Sequence, residues 1–125
     1  MAATAAVRSE QFLEVFDAET GRIDARAVAD ELAVPVSDLA RAIGKGAAAV
    51  RKTPDAPALQ DALAPIVDVL QRLAALFQSN MSTVRIWLNA PNRGLGGEQP
   101  MRYLLSGRVK VLDDLVGALE EGFTS

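Results

Sequence analysis

Three groups of residues in this sequence have types and spacings that could do chemistry. The first is the glycine-rich run "GLGGEQP" at 94–100. Backbone N–H groups in such a loop can hold a phosphate, but they work with a following Lys and Ser or Thr and with a strand feeding the loop. This run has none of these, because "STVRIWLN" ahead of it reads as a short helix capped by Ser82. It reads instead as a turn, started by Pro91-Asn92 and given its positive φ values by glycine. The second group is the acid pairs "DD" at 113–114 and "EE" at 120–121. Sequence neighbours point apart on a helix, so neither pair makes an acid/base dyad, and both read as a solvated face. The third is the set Arg41, Lys45, Arg51 and Lys52, whose charges suit contact with phosphates.

The composition narrows the chemistry further. The 125 residues contain no histidine and no cysteine. The usual general base, the usual neutral metal ligand and any thiolate are therefore missing. No nucleophile motif stands in for them, so catalysis, a cofactor and a metal site are not expected. Half the residues are apolar and 23% are charged, enough for a sizeable core in one compact domain or two small helical halves. No apolar run reaches the ~18 residues of a membrane span, and "MAATAAVRSEQ" lacks the layout of a secretory signal. A soluble cytoplasmic protein is the expectation, and the absence of cysteine fits a reducing compartment. The net charge of −3 is unevenly spread. Only 22–53 is basic, with six Lys and Arg against four acids. The acidic whole argues against tight non-specific nucleic-acid binding but leaves room for a local contact.

These residues must be positioned by helices. "SEQFLEVFDAETG" offers Ser9 as a cap, Phe12, Val15 and Phe16 as an apolar stripe, and Gly21 as a stop. "DARAVADELAV" is capped by Asp24, carries Val28 and Leu32 inward and ends before Pro35. "PVSDLARAIGKGAAAVRKT" gives two short helices hinged at "GKG". Ala40, Gly44 and Val50 fall at helix-turn-helix offsets, with Leu39 and Ile43 also inward. The second helix offers three alanines where a base-reading helix carries polar side chains. Leu59, Leu63, Ile66, Leu70, Leu73 and Phe77 form a heptad seam suited either to the monomer core or to a partner helix. Pro57 suits the first turn of that helix, and Pro65 should kink or restart it. The last helix presents Val109, Leu112, Leu115, Val116 and Leu119, with Gly122 as its closing cap. No strand alternation is convincing.

Read together, "WL" at 87–88, "PN" at 91–92, "LGG" at 95–97, Pro100, "LL" at 104–105 and Gly122 resemble the toxin-binding domain of the Xre/MbcA/ParS antitoxins. Residues 24–79 are similar to the Xre-type helical domain that precedes it. The elements give an all-α fold with an N-terminal helical extension (1–21) that lies outside the resemblance, and the resemblance implies an Xre-like helix-turn-helix domain with a long dimerisation helix (22–80) and a small helical toxin-binding domain (81–125). It implies a RES-domain toxin as partner, one that consumes NAD or transfers its ADP-ribose. It further implies a homodimer joined through Ile66, Leu70, Leu73 and Phe77, and operator DNA met by Arg41, Lys45, Arg51 and Lys52. Trp87, Pro91, Asn92, Leu95, Gly96, Gly97 and Pro100 would brace the motif. Arg93, Arg102, Gly122, Phe123, Thr124 and Ser125 would face the toxin. Many members carry an acid where this chain has Arg102, which implies a different toxin surface. Two other readings stay open: a stand-alone DNA-binding regulator, and a non-catalytic dimeric scaffold joined through 59–77.

Overall fold

The structure, a computed structural model, describes residues 14–124, with side chains described as far as Gly122. Ser9, Phe12, the side chains of Phe123 and Thr124, and Ser125 lie outside the described residues. Within them the chain is all-α: seven α-helices and a single β-bridge. The helices are α1 (Ala25–Leu32), α2 (Val36–Ala42), α3 (Ala47–Lys52), α4 (Gln60–Leu76), α5 (Met81–Asn89), α6 (Pro100–Leu105) and α7 (Val109–Thr124). Short 3₁₀ turns at Pro57–Leu59 and Arg93–Leu95 lead into α4 and form the loop before α6. No helix among the described residues is long and apolar enough to cross a membrane.

Local chemistry sets the boundaries. Asp24 caps α1 by accepting from the Ala27 amide at 3.0 Å, as the sequence suggests. Ala33, in the left-handed conformation (φ 59°), closes that helix two residues before Pro35. For α5 the cap is Asn80, whose side chain accepts from Thr83 N at 3.1 Å, and the expected cap Ser82 is already inside the helix. Pro65 neither breaks nor restarts α4. The bond it forgoes belongs to the Asp61 carbonyl, and both residues are exposed, where water can take the bond's place. Gly122 does not close α7, which continues to Thr124.

The largest departure from expectation is at Val15–Asp24. The expected helical stripe is a hairpin here. Asp17 N donates to Arg22 O at 2.8 Å, Asp24 N donates to Val15 O at 2.7 Å, and Phe16 pairs with Ile23. The Asp17 carboxylate accepts from the Glu19 and Thr20 amides, and Gly21 (φ 73°) completes the turn. Val15 is buried and Phe16 is 51% exposed, the alternation of a strand. Gln60 then takes the place of a neighbouring strand. Its side chain accepts from Ile23 N at 2.7 Å and donates to Ile23 O at 3.0 Å.

One cluster of buried side chains runs from Val15 to Val116. Its axis is α4, which buries Leu63, Ile66, Val67, Val69, Leu70, Leu73 and Ala74, and whose most extensive packing is against α7. Burying each such aliphatic side chain contributes ~1.5–3 kcal/mol. This corrects the expected dimer face. Ile66, Leu70 and Leu73 are 3%, 0% and 0% exposed within the single chain. Phe77 is half-buried and lies beside Trp87. The seam is wrapped by the chain's own helices, so those side chains are not available to a second copy.

Candidate functional site

The loop between α5 and α6 is organised by Asn92. Its side chain accepts from Gly94 N at 2.8 Å, and its carbonyl accepts from Leu95 N at 3.0 Å and Gly97 N at 2.8 Å. Its own amide donates to Glu98 O at 3.0 Å, closing the loop on itself. The two glycines after Leu95 are needed where they stand, since Gly96 (φ 65°) and Gly97 (φ 89°) take a conformation that a side chain disfavours. Leu95 and Pro100 are buried, and Pro100 occupies the first turn of α6. Trp87 is half-buried, its ring 6.4 Å from that of Phe77. Pro91 is exposed at the start of the loop. The backbone amides of this loop are turned to its own carbonyl and amide oxygens, which suits a brace and not an anion cradle.

Arg93 and Arg102 are exposed on this side of the molecule's surface. Arg102 lies 3.5 Å from Glu98, so the end of the loop and α6 share an ion pair. Gly94, a residue the sequence reading did not single out, keys the loop to α7. A Cβ there would sit 3.0 Å from Leu115 Cδ1 and 3.1 Å from Asn92 Oδ1. Gly122 is exposed in the last turns of α7.

The acid pairs prove to be split in use. Arg72 on α4 donates to Glu120 at 2.8 Å, to Asp113 and to Asp68 at 3.1 Å, and so staples α4 to α7. Hydrogen bonds from Arg72 hold the carboxyls of Asp113 and Glu120 below their usual range. The same bonds, from Glu120 first, raise the Arg72 guanidinium further above neutrality. Lys110 pairs with Asp114 at 2.9 Å. The signal that could have revealed this is the spacing Asp113–Glu120, two helical turns apart on one face.

The residues read at helix-turn-helix offsets fall on α2, on α3 and in the turn between them. Ala40 and Val50 are 1% exposed, Leu39 is fully buried, Ile43 is half-buried, and Gly44 has φ 71° in the turn. Both helices pack on α1. Arg41, Lys45, Arg51 and Lys52 are all exposed, with Arg41 3.7 Å from Asp38. The two halves of the chain meet where α2 packs on α6, and a Cβ on Gly107 would lie 3.2 Å from the Ala42 carbonyl.

Residues 72–122 match the family described as antitoxin Xre/MbcA/ParS C-terminal toxin-binding domain. That stretch of the chain is similar to the toxin-binding domain of these antitoxins. No curated protein and no solved structure matches the chain. The matched segment contains the last part of α4, all of α5, the Asn92 loop, α6 and most of α7. It therefore includes Arg72 and both of the α7 carboxylates that Arg72 binds.

Proposed function

We propose that this chain is the antitoxin of a type II toxin–antitoxin system that binds and blocks a RES-domain toxin, one that consumes NAD or transfers its ADP-ribose. The observation that carries the reading is the match of residues 72–122 to a toxin-binding domain. In this reading Trp87, Pro91, Asn92, Leu95, Gly96, Gly97 and Pro100 hold the loop and α6 in place. Arg93, Arg102, Gly122, Phe123, Thr124 and Ser125 meet the toxin. The exposure of Arg93 and Arg102 suits that role, because substitution there can change binding without disturbing the core. Co-expression with a RES-domain toxin tests it. The antitoxin should restore growth, and removing residues 122–125 should weaken the rescue. Full rescue by a chain ending before Trp87 would sink the proposal.

A second activity is supported by the α2–α3 geometry: operator binding through Arg41, Lys45, Arg51 and Lys52. The buried Ala40 and Val50, the left-handed Gly44 and four exposed cations favour it. Affinity for the chain's own promoter should fall steeply with salt, as counterion release requires. A gel shift unchanged by Arg51→Glu with Lys52→Glu would argue against it. A homodimer remains part of the proposal, but it must use a surface other than Ile66, Leu70 and Leu73. The scaffold reading needs that seam free, and the burial of Leu59, Leu63, Ile66, Leu70 and Leu73 in the single chain, with Phe77 half-buried, weighs against it.

A further inference from the structure

The turn between α4 and α5 is made from residues that do not favour it. Gln78 (φ 57°) and Ser79 (φ 64°) both hold the left-handed conformation that a side chain disfavours. Among the described residues the five other turn positions of positive φ are glycines, apart from Ala33. No glycine or proline stands between Ile66 and Ala90, so every residue of this turn is compatible with a helix.

The apolar pattern also runs straight through the turn. Leu59, Leu63, Ile66, Leu70, Leu73 and Phe77 step alternately by four and three, and the same steps continue through Asn80 to Val84 and Trp87. Asn80 is the one polar member, and in the closed turn it caps α5. In one helix running from Gln60 to Asn89 all these residues after Leu59 would share a single stripe. Straightening the turn would fuse α4 to α5 and carry α5, α6 and α7 away from the rest of their own chain.

The closed structure fixes what can cover the parted surfaces. Leu63, Ile66 and Leu70 of α4 share a core with Leu112 and Val116 of α7. Arg72 of α4 pairs with Asp113 and Glu120 of α7. Arg85 of α5 donates to the Glu31 carbonyl of α1 at 3.0 Å, and α6 packs on α2. A second copy of this chain presents the same side chains in the same arrangement. Two closed chains cannot share the α4 seam, since Ile66, Leu70 and Leu73 are buried in each. Two opened chains share it by exchange, with each seam covered by the other copy's α7.

We propose that Gln78–Asn80 is a hinge, and that two copies of this chain exchange the unit beginning at Met81, so that Arg72 of one copy holds Asp113 and Glu120 of the other. Arg93 and Arg102 travel with that unit and come to rest on a body supplied by the second copy. The exchange needs no toxin, so its test is independent of one.

The full chain is refolded from urea at high concentration and separated by size-exclusion chromatography with light scattering. A dimer should appear beside the monomer. Gln78→Gly with Ser79→Gly should lower the dimer yield roughly tenfold, because glycine eases the closed turn and weakens the fused helix. Gln78→Ala with Ser79→Ala should raise it. Two further variants, Arg72→Glu in one chain and Asp113→Arg with Glu120→Arg in another, each set like charges across α4 and α7. Refolded together they should form a mixed dimer in much higher yield than either forms alone, since exchange sets each reversed site against its complement. Should these variants fail to fold, isotope-filtered NMR on a wild-type dimer of labelled and unlabelled copies reads the same contact. Leu70 methyls of one copy should then show NOEs to Leu112 or Val116 of the other. The proposal is overturned if no dimer forms on refolding, or if the dimer yield ignores the glycine pair. It is equally overturned if the α4–α7 NOEs stay within one copy, which would mean that closed chains dock through another surface.

Discussion

At the scale of single residues, Arg72 carries the most consequence. It gathers Asp68, Asp113 and Glu120 around one guanidinium and ties the core helix to the last helix of the family-matched segment. Arg72→Met should lower the thermal midpoint, and the loss should shrink in high salt because the partners are partly exposed. It should also change the pH dependence of unfolding. Asp113 and Glu120 have folded pKa values depressed from 3.8 and 4.5 by Arg72. Their contribution is full above those unfolded values and is lost as pH falls through the depressed ones. Urea unfolding should therefore show wild type and Arg72→Met converging below about pH 4. A gap that stays constant down to about pH 2 would mean that Arg72 acts by packing alone. Glu31 has the opposite sign. Burial raises its pKa, so its ionisation costs stability as pH rises through that raised value.

At the scale of elements, α4 is the test case. Leu70 is fully buried in the single chain, so Leu70→Ala should destabilise it by ~2–5 kcal/mol in denaturant titration. A variant of full stability that only dissociates would restore the dimer seam. Asn80→Ala should cost about 1 kcal/mol by removing the cap of α5, whereas Ser82→Ala should be close to neutral. Most helices were legible in the sequence because periodicity and caps are local signals: Asp24, the turn at Gly44 and the apolar face of α7 all stand as read. The misreadings share one cause. Val15 and Phe16 fit a helical stripe as well as a strand, and what decides is Gln60, far along the chain, satisfying Ile23. The heptad seam looks the same whether a partner or α7 covers it. The loop motif was legible as a brace, but the key between Gly94 and Leu115 is a long-range contact with no local spacing of its own, and the Asp113–Glu120 spacing does not name Arg72, far along the chain, as the partner.

At the scale of the whole molecule, the α2–α3 pair and the α6–α7 pair share one structure. Gly107 holds φ 77° in the turn between α6 and α7, and its missing side chain lets that turn approach the end of α2. Gly107→Ala should destabilise by about 1–2 kcal/mol for the left-handed backbone alone. It should also disturb amide shifts in α2 as well as α6, and shifts confined to residues next to 107 would show that the two pairs are not coupled there.

The start of the family-matched segment at Arg72, partway along α4, has a further meaning. Sequence similarity marks out a portable unit, but the fold does not provide one. Leu112 and Val116 share their core with Leu63, Ile66 and Leu70, which precede the boundary. A graft of residues 72–122 onto another carrier would leave that apolar face bare. Moving the matched segment between chains is workable only where the donor brings the whole of α4 or the recipient already has an α4 with the same inward pattern.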